Sequence, residues 1–305
     1  MEVLCLGESM VVLAPAPHHD LRRAPELKIG VAGAESNVAI SLALLGARSG
    51  WRGKVGDDPF GERVTDALAA AGVDAGGVQV DPERPTGVYF KNPGPDGTRV
   101  HYYRSGSAAS TMAPGHLRGA EPPRILHLSG ITPALSGSCR ALVEELLVDR
   151  ALAPAQVSFD VNYRPALWPV ETAGPVLADL ADRADIAFVG LDEAETLWGA
   201  ESPDDVRERL PGAGTLVVKD GGAGVTCFSG DDRRYSPAES VEIVEPVGAG
   251  DAFAAGFLYG RLKGAGDAQS MRLGHRLAAG ALQTVGDLAA PPDPATVTSI
   301  LESRQ

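Results

Sequence analysis

The chain has 305 residues, of which 44% are hydrophobic, and it carries a formal net charge of -13. This length is enough for one large α/β domain or two smaller ones, and the apolar content excludes an intrinsically disordered chain. The negative charge argues against a nucleic-acid partner, because phosphate backbones are held by surplus lysine and arginine. An acidic ligand would therefore need arginines placed within its own site.

The N-terminal sequence MEVLCLGESM lacks the basic segment and long apolar run of a secretory signal peptide. No uninterrupted apolar run approaches the roughly 18 residues that a membrane span needs. The three cysteines fit neither a disulfide framework nor a paired metal-ligand spacing, and we expect Cys5 and Cys227 to be buried thiols. These features predict a soluble cytoplasmic protein with no membrane partner.

Short apolar runs alternate with amphipathic stretches along the chain. The runs predicted to be strands are VLCLG (3–7), ILHLSG (125–130), VSFDVN (157–162), IAFVG (186–190) and TLVVKDG (215–221). Helical spacing places Val38, Leu42 and Leu45 on one face of SNVAISLALLG, and SCRALVEELLVD has a similar face. Continuous apolar strands separated by helices predict a single α/β domain over 1–305, with a mostly parallel sheet and helices on both faces. Functional loops are then expected at the carboxyl ends of the strands.

Two segments interrupt this alternation. Residues 10–30 are rich in proline and histidine, and residues 85–104 contain GVYFK and RVHYYR on either side of NPGPDG. Asp96-Gly97 is a strong tight-turn signal, so the second segment predicts a β-hairpin. A hairpin inserted between α/β elements is expected to extend from the main sheet, and we predict that both segments form a small β-sheet lid. An apolar outer face of this lid would favour a homo-oligomer.

The stretch EPVGAGDAFAAGF, residues 245–257, has the pattern of a strand end, a glycine turn and a helix. This pattern is typical of phosphate binding, yet it places the carboxylate of Asp251 where the anion would lie. A dinucleotide-binding turn does not fit, since Phe253 stands where a third small residue belongs. A P-loop is excluded as well, because its pattern G-x-x-x-x-G-K-[ST] does not occur in the sequence. An ordinary turn entering an alanine-rich helix remains an alternative.

Catalysis would explain the acid. The backbone N–H groups of Ala249, Gly250 and Asp251, at the positive end of a helix expected to start near Asp251, could hold a transferring phosphoryl group. A carboxylate beside that group can take a proton from an attacking hydroxyl, while the N–H groups stabilise the developing charge. The acid then serves the acceptor and not the phosphate.

Two signatures resemble those of the ribokinase-like (PfkB) carbohydrate kinases. PVGAGDAFAAGF resembles their C-terminal signature, and AGAESNVAISLALLG (32–46) resembles their N-terminal glycine signature, in the same order and separation. The resemblance covers essentially the whole chain and implies a ribokinase-like fold with ATP as phosphoryl donor. It also implies that Asp251 is the catalytic base and that Gly248, Ala249 and Gly250 help to form the anion hole.

The nucleotide side follows from the same resemblance. VVKDGGAGV (217–225) resembles the family's ATP segment, which implies that Lys219, Gly221, Gly222 and Gly224 lie near the phosphates; a hairpin turn after a strand is the alternative. The stretch from His275 to Thr284 would flank adenine, although His275 by itself is more typical of a surface residue.

The metal side departs from the family pattern. The family's N-x-x-E motif, which is linked to Mg²⁺, reads GLDE at 190–193, so Glu193 matches while Gly190 replaces the asparagine. Mg²⁺ is expected to arrive on the ATP phosphates with its waters, so that Glu193 would act indirectly. Whether a monovalent cation acts near the Glu245 loop stays open.

The acceptor site is suggested by two arginines. Arg164 follows a predicted strand in DVNYR, and Arg104 ends the hairpin, where Tyr102 and Arg104 can project from one face. Arginine matches a carboxylate bidentately, which favours an acidic sugar. In the alternative without ligand binding, Arg104 is a surface charge, and Asp160 and Asn162 only cap the loop.

Four stretches, GVYF, HYYRSGSAAS, LHLSGITPAL and DVNYRPALW, resemble the 2-keto-3-deoxygluconate kinases. This resemblance implies a sugar-acid site lined by Gly33, Asn37, Tyr89, Tyr102, Arg104 and Arg164. We expect Tyr103 to pack on the opposite hairpin face and Trp168 to belong to the core or the pocket wall.

The expected reaction is ATP-dependent phosphorylation of the 6-hydroxyl of 2-keto-3-deoxygluconate. A fructokinase or another sugar kinase is the alternative within the same class, and the galactonate-derived epimer is not distinguished. A non-catalytic sugar or nucleotide sensor is the alternative from a different class. The intact GAGD sequence weighs against a sensor, since a sensor needs no base.

Overall fold

The computed structural model describes residues 1–16, 20–94, 97–284, 286 and 288–303. Its strands are β1 Val3–Leu6, β2 Met10–Pro15, β3 Leu27–Ala32, β4 Ser49–Arg52, β5 Lys54–Gly56, β6 Gln79–Asp81, β7 Val88–Gly94, β8 Gly97–Tyr103, β9 Ile125–Ser129, β10 Gln156–Asp160, β11 Ile186–Gly190, β12 Thr215–Asp220, β13 Gly224–Ser229 and β14 Asp232–Pro237. Its α-helices are α1 Ala34–Leu44, α2 Pro59–Ala70, α3 Ile131–Leu135, α4 Gly137–Leu147, α5 Val170–Asp182, α6 Leu191–Trp198, α7 Pro203–Arg209, α8 Ala249–Leu262, α9 Asp267–Leu282 and α10 Pro294–Glu302.

The main sheet has the strand order β14-β13-β12-β11-β10-β9-β1-β4. Its strands from β12 to β4 are parallel, and β13 and β14 extend one edge in antiparallel pairing. All five runs predicted to be strands lie in this sheet. The prediction of a mostly parallel sheet is therefore confirmed.

Helices cover both faces of this sheet. On one face, α4 to α7 bury a cluster that includes Phe159, and on the other face α1, α2, α8 and α9 bury a cluster that includes Trp51 and Phe188. Central parallel strands are buried on both faces, which explains why they are continuous apolar runs in the sequence.

A second, small sheet has the strand order β3-β2-β7-β8 and stands apart from the main sheet. The pairs β2–β3 and β7–β8 are antiparallel and β2–β7 is parallel, so this sheet combines the two segments that interrupt the sequence pattern. Strand pairing puts Tyr89 opposite Tyr102, on the face that looks toward the main sheet's carboxyl edge. Asp96 of the predicted tight turn lies outside the described residues.

Buried thiols are found where the sequence predicts them, since Cys5 and Cys227 lie in the core. Among the described helices, none is both long and apolar enough to cross a membrane.

Candidate active site

A cavity of about 880 Å³ opens between the carboxyl edge of the main sheet and the inner face of the small sheet. The ends of β9 to β12 and the start of α8 form its floor, which is where open α/β sheets bind ligands. All residues that the sequence singles out for a site line this one cavity: Gly33, Asn37, Tyr89, Tyr102, Arg104, Arg164, Glu193, Lys219, Gly221, Gly222, Gly224, Gly248, Ala249, Gly250 and Asp251.

The glycine turn before α8 brings the start of the helix to the cavity. Gly248 is the N-cap and has φ of 85°, a left-handed conformation that favours glycine. The helix begins at Ala249, two residues earlier than the sequence suggested, because the glycine cap gives no side-chain signal of the helix start. Asp251 therefore lies in the first turn, where the first N–H groups have no partner within the helix and point out of its positive end.

Asp251 accepts a hydrogen bond from a side chain of α1. The side-chain amide of Asn37 on α1 donates to Asp251 Oδ2 at 2.9 Å. Burial raises the pKa of Asp251 to about 7, and the Asp160 charge adds to this, while the Asn37 hydrogen bond and the charges of Arg164 and Lys219 oppose it. A carboxylate with a pKa near neutrality suits proton abstraction from a hydroxyl.

Lys219, at the end of β12, forms a partly buried ion pair. Its Nζ lies 2.8 Å from Asp160 Oδ2, at the end of β10. Burial alone would lower the pKa of Lys219, but the carboxylates of Asp160, Glu193 and Asp251 outweigh burial and raise it. A Cβ on Gly250 would lie 3.6 Å from Lys219 Nζ, so the ammonium lies directly beside the glycine turn before α8. Asp160 is thus more than a loop cap.

The glycines that follow Lys219 lie in a tight β12–β13 hairpin. Gly221 has φ of 46° and Gly224 has φ of 150°, and a Cβ on Gly224 would lie 2.4 Å from the backbone oxygen of Ser236. These glycines therefore form a hairpin turn after a strand, and they also line the cavity. The absence of side chains lets a ligand approach this backbone closely.

At Gly190, where the family has an asparagine, another side chain fills the space next to the backbone. The Gly190 N–H donates to Glu193 Oε2 at 3.0 Å, and a Cβ on Gly190 would lie 2.6 Å from Asp192 Oδ1. Asp192, which also lines the cavity, therefore occupies the space of a side chain at position 190. Burial raises the pKa of Glu193, although the charge of Lys219 opposes this.

Arg104 is not a surface charge, because it is 8% exposed and paired with Glu8 at the end of β1. Its Nε donates to Glu8 Oε2 at 2.7 Å. Arg164 differs, since it is largely exposed to the cavity, donates to the Tyr163 backbone oxygen and lies 3.7 Å from Glu193 Oε1. Arg164 therefore has the freer guanidinium for an anionic ligand.

Aromatic rings form the small sheet's contribution to the cavity. The Tyr89 and Tyr102 rings lie 5.5 Å apart, and the Arg104 guanidinium lies 5.7 Å from the Tyr102 ring centre. Tyr103 is on the opposite face, as expected, where it is exposed and contacts Phe90 edge-on. Trp168 packs against the core and is absent from the cavity lining.

The expectation that His275 is a surface residue is wrong. His275 on α9 is 7% exposed, its ring contacts Phe253 edge-on, and its Nε2 lies 3.1 Å from the Ser236 backbone oxygen. Together with Ile243, Val247, Ala278 and Leu282 it gives the cavity an apolar end. A flat heterocycle such as adenine matches this chemistry.

Some residues at the cavity were missed by the sequence analysis. Lys91, Ile131 and Asp192 line it, and Glu8 and Glu35 are buried close behind it. Glu8 and Ile131 could have been found, because both follow strands of the main sheet at their carboxyl ends. Lys91 gave no such signal, since it lies within a hairpin strand.

Among the described residues, no group of three or more histidine, cysteine or carboxylate side chains is arranged to hold a metal ion. Glu193 nevertheless gives the cavity a carboxylate of the kind that Mg²⁺ prefers.

Comparison with known proteins gives the family. The model of the pfkB family carbohydrate kinases matches residues 1–294. A 2-dehydro-3-deoxygluconokinase of Bacillus subtilis is 34% identical, and the match covers 100% of this chain and 97% of the relative. A 2-dehydro-3-deoxygalactonokinase of Haloferax volcanii is 33% identical, and the match covers 94% of this chain and 93% of the relative. A sugar kinase of Pyrococcus horikoshii, solved in complex with ATP, has a TM-score of 0.83 at 26% identity and covers 95% of each chain. The chain therefore belongs to the pfkB family of carbohydrate kinases and has a ribokinase-like fold.

Proposed function

We propose that this protein transfers the γ-phosphoryl group of ATP to the 6-hydroxyl of 2-keto-3-deoxygluconate, giving 2-keto-3-deoxy-6-phosphogluconate and ADP. The observation that carries the chemistry is Asp251, with its pKa of about 7, in the first turn of α8 beside the N–H groups at the start of the helix. The names of the relatives from Bacillus subtilis and Haloferax volcanii support a sugar acid as acceptor.

The proposed step is an in-line displacement. Asp251 takes the proton of the 6-hydroxyl, whose oxygen forms a bond to the γ-phosphorus while the bond to the β–γ bridging oxygen breaks. The N–H groups at Ala249 and Gly250 and the Lys219 ammonium stabilise the charge on the transferring group. ADP leaves with the bridging oxygen, and Asp251 returns its proton to water.

Mg²⁺, when bound with ATP, would neutralise phosphate charge. We propose that Glu193 holds it through its waters, because this carboxylate lines the cavity near Lys219, whereas both oxygens of Asp160 are already occupied by the Lys219 ammonium and the Asn162 N–H. In the protein without nucleotide, Lys219 balances this negative charge.

The arginines support an acidic acceptor. We propose that Arg164 meets the sugar carboxylate, since its guanidinium is the more exposed to the cavity. Arg104 is held in place by Glu8 and lies against Tyr102, so its role is to fix the position of the tyrosine and to offer its remaining N–H groups to the sugar hydroxyls.

The test is ATP- and Mg²⁺-dependent release of ADP with 2-keto-3-deoxygluconate, its galactonate-derived epimer, fructose and ribose side by side. We expect kcat/KM for one of the two acids to exceed that for either neutral sugar by at least about 100-fold, or about 2.7 kcal/mol. A higher kcat/KM for fructose or ribose would refute the acidic acceptor. Binding of sugar and ATP without turnover would favour a sensor.

We also propose that the outer face of the small sheet is a homo-oligomer interface, because Ile29 and Tyr103 are exposed there. Light scattering coupled to gel filtration should give a mass above that of one chain. A Tyr103→Asp variant should shift the mass toward the monomer, and an unchanged mass would place the interface elsewhere.

A further inference from the structure

Lys91 and Glu245 form a buried ion pair beside the anion site. Lys91, on the inner face of β7, is 7% exposed, and its Nζ pairs with Glu245 Oε1. The other carboxylate oxygen, Oε2, accepts the Gly286 N–H at 3.0 Å. Glu245 comes three residues before the N-cap of α8, so the pair joins the small sheet to the segment that enters the anion site.

The sequence left open whether a monovalent cation acts near this carboxylate. A dissolved cation would need free oxygen ligands at Glu245, but one oxygen already holds an ammonium and the other holds an N–H group. A second positive charge beside Lys91 would be repelled. The residues present therefore do not fit a monovalent cation at this position.

We infer that Lys91 takes the place of such a cation: its ammonium fixes Glu245, and with it the segment Glu245–Gly248, so that turnover needs no dissolved monovalent cation. The inference rests on the proposed kinase function, because it concerns the positioning of that same anion site. Lys91 is a positioning residue in this account, since it acts on the reaction through Glu245 and the turn.

The energetics favour this arrangement. A charge-assisted hydrogen bond between largely buried partners is stronger than a pair on the surface, and removing one partner leaves the other charge buried without compensation. A truncated Lys91 would leave a negatively charged space beside Glu245. Potassium, ammonium or a small alkylammonium ion could then enter this space, whereas choline is too large for it.

The first arm of the test uses the unmodified protein. ADP release and thermal unfolding are measured in potassium, ammonium, sodium and choline chloride at equal ionic strength. We expect kcat to agree within about 2-fold among the four salts, and no potassium-specific rise in Tm, because the site already holds its charge. Stimulation by potassium over choline of about 10-fold or more would overturn the inference.

The second arm uses Lys91→Ala and, in case that variant folds poorly, Lys91→Met. In choline we expect kcat to fall by about 10- to 100-fold, since the turn loses its fixed position. Potassium, ammonium or ethylammonium should restore part of the loss for Lys91→Ala and raise its Tm. Full activity in choline, or a loss that none of these cations relieves, would overturn the inference.

Lys54→Ala is the matched control. Lys54 also forms a largely buried pair with a carboxylate, with Nζ 2.8 Å from Asp81 Oδ2, but lies outside the cavity. We expect this variant to lose some stability without any cation-specific recovery of Tm or kcat. The unfolding measurements need no sugar, so they test the role of Lys91 even if no acceptor is phosphorylated, an outcome that would refute the proposed function alone.

Discussion

The carboxyl group of Asp251 combines a nearly neutral pKa with an orienting hydrogen bond from Asn37. A base must be ionised to work, so kcat/KM should fall about tenfold per pH unit below pH 7. Asn37→Ala removes a contact that lowers this pKa, and the acidic limb of the pH profile should therefore move to higher pH. The measurement is kcat/KM from pH 5 to 9.

Ser36→Ala is the control for this shift, because the Ser36 hydroxyl bonds to Ser9 and to the Gly33 backbone oxygen and not to Asp251. Its acidic limb should stay in place. An acidic limb near pH 4 in the unmodified protein would contradict the raised pKa.

Replacing the proposed base, Asp251, should separate catalysis from stability. Asp251→Asn should remove nearly all turnover and leave ATP binding largely intact. The folded pKa is raised above the ordinary value of 3.8, so the neutral form stabilises the fold and this contribution is lost as pH rises through about 7. The variant should therefore exceed the unmodified protein in Tm by about 2 to 6 °C at pH 8, and by less at pH 5. Near-normal kcat would refute the assignment of Asp251 as base.

Arg164 provides a test of acceptor chemistry. Arg164→Ala should lower kcat/KM for an acidic sugar by about 100-fold and for a neutral sugar by less than about 10-fold, because only the acid has a carboxylate to lose. Arg140→Ala, on the exposed face of α4, is a control that should change neither value. Equal losses with both sugars would mean that Arg164 does not bind a carboxylate.

At the scale of elements, α1 is fixed to the main sheet by Glu35. The Glu35 carboxyl is fully buried, with Oε1 2.6 Å from Ser129 Oγ and 3.0 Å from Thr132 Oγ1, and burial raises its pKa. Within the described residues Oε2 has no hydrogen-bond partner, which also favours the neutral acid. This contact sets the position of the helix that carries Asn37.

Glu35→Gln should therefore keep the fold, since the amide is neutral and of the same shape. The stability from a raised carboxyl pKa is lost as pH rises above the ordinary value of 4.5. The Tm of Glu35→Gln should therefore increase relative to that of the unmodified protein as pH rises from 4.5. Glu35→Ala should lose about 2 to 4 kcal/mol through its cavity and unpaired hydroxyls. Thermal unfolding checks both, and an equal loss in the two variants would indicate an ionised Glu35.

The elements differ in how well the sequence predicted them, and the reason is burial. The central strands β9 to β12 are buried on both faces and so are continuous apolar runs, whereas β3 has a mostly part-exposed pattern that gave no strand signal. The site residues were predictable where a motif or a strand end marks them, as with Asp251 and Arg164. The pairs Glu8–Arg104 and Lys91–Glu245 were not, because 96 and 154 residues separate the partners and only the tertiary fold brings them together.

For the whole molecule, we expect the two sheets to differ in their stability against local unfolding. The main sheet is covered by two large buried clusters, while the small sheet has a cluster of Met10, Ala32 and Tyr89 and an exposed outer face. Backbone hydrogen bonds with little apolar cover open at low free energy. We therefore expect amides of β2, β3, β7 and β8 to exchange faster with solvent than those of β9 to β12.

Ligands should change this difference, since the small sheet supplies Tyr89, Tyr102 and Lys91 to the cavity that it covers. If it acts as a lid over sugar and nucleotide, hydrogen exchange in β7 and β8 should slow by about 10-fold or more when both ligands are bound, and by less with either alone, because the closed form excludes water only around the complete pair. The amides of β9 and β10 serve as the internal control and should change little. Equal protection of both sheets before ligand, or no slowing in β7 and β8 with both ligands, would mean that the small sheet is a fixed wall of the site and not a lid.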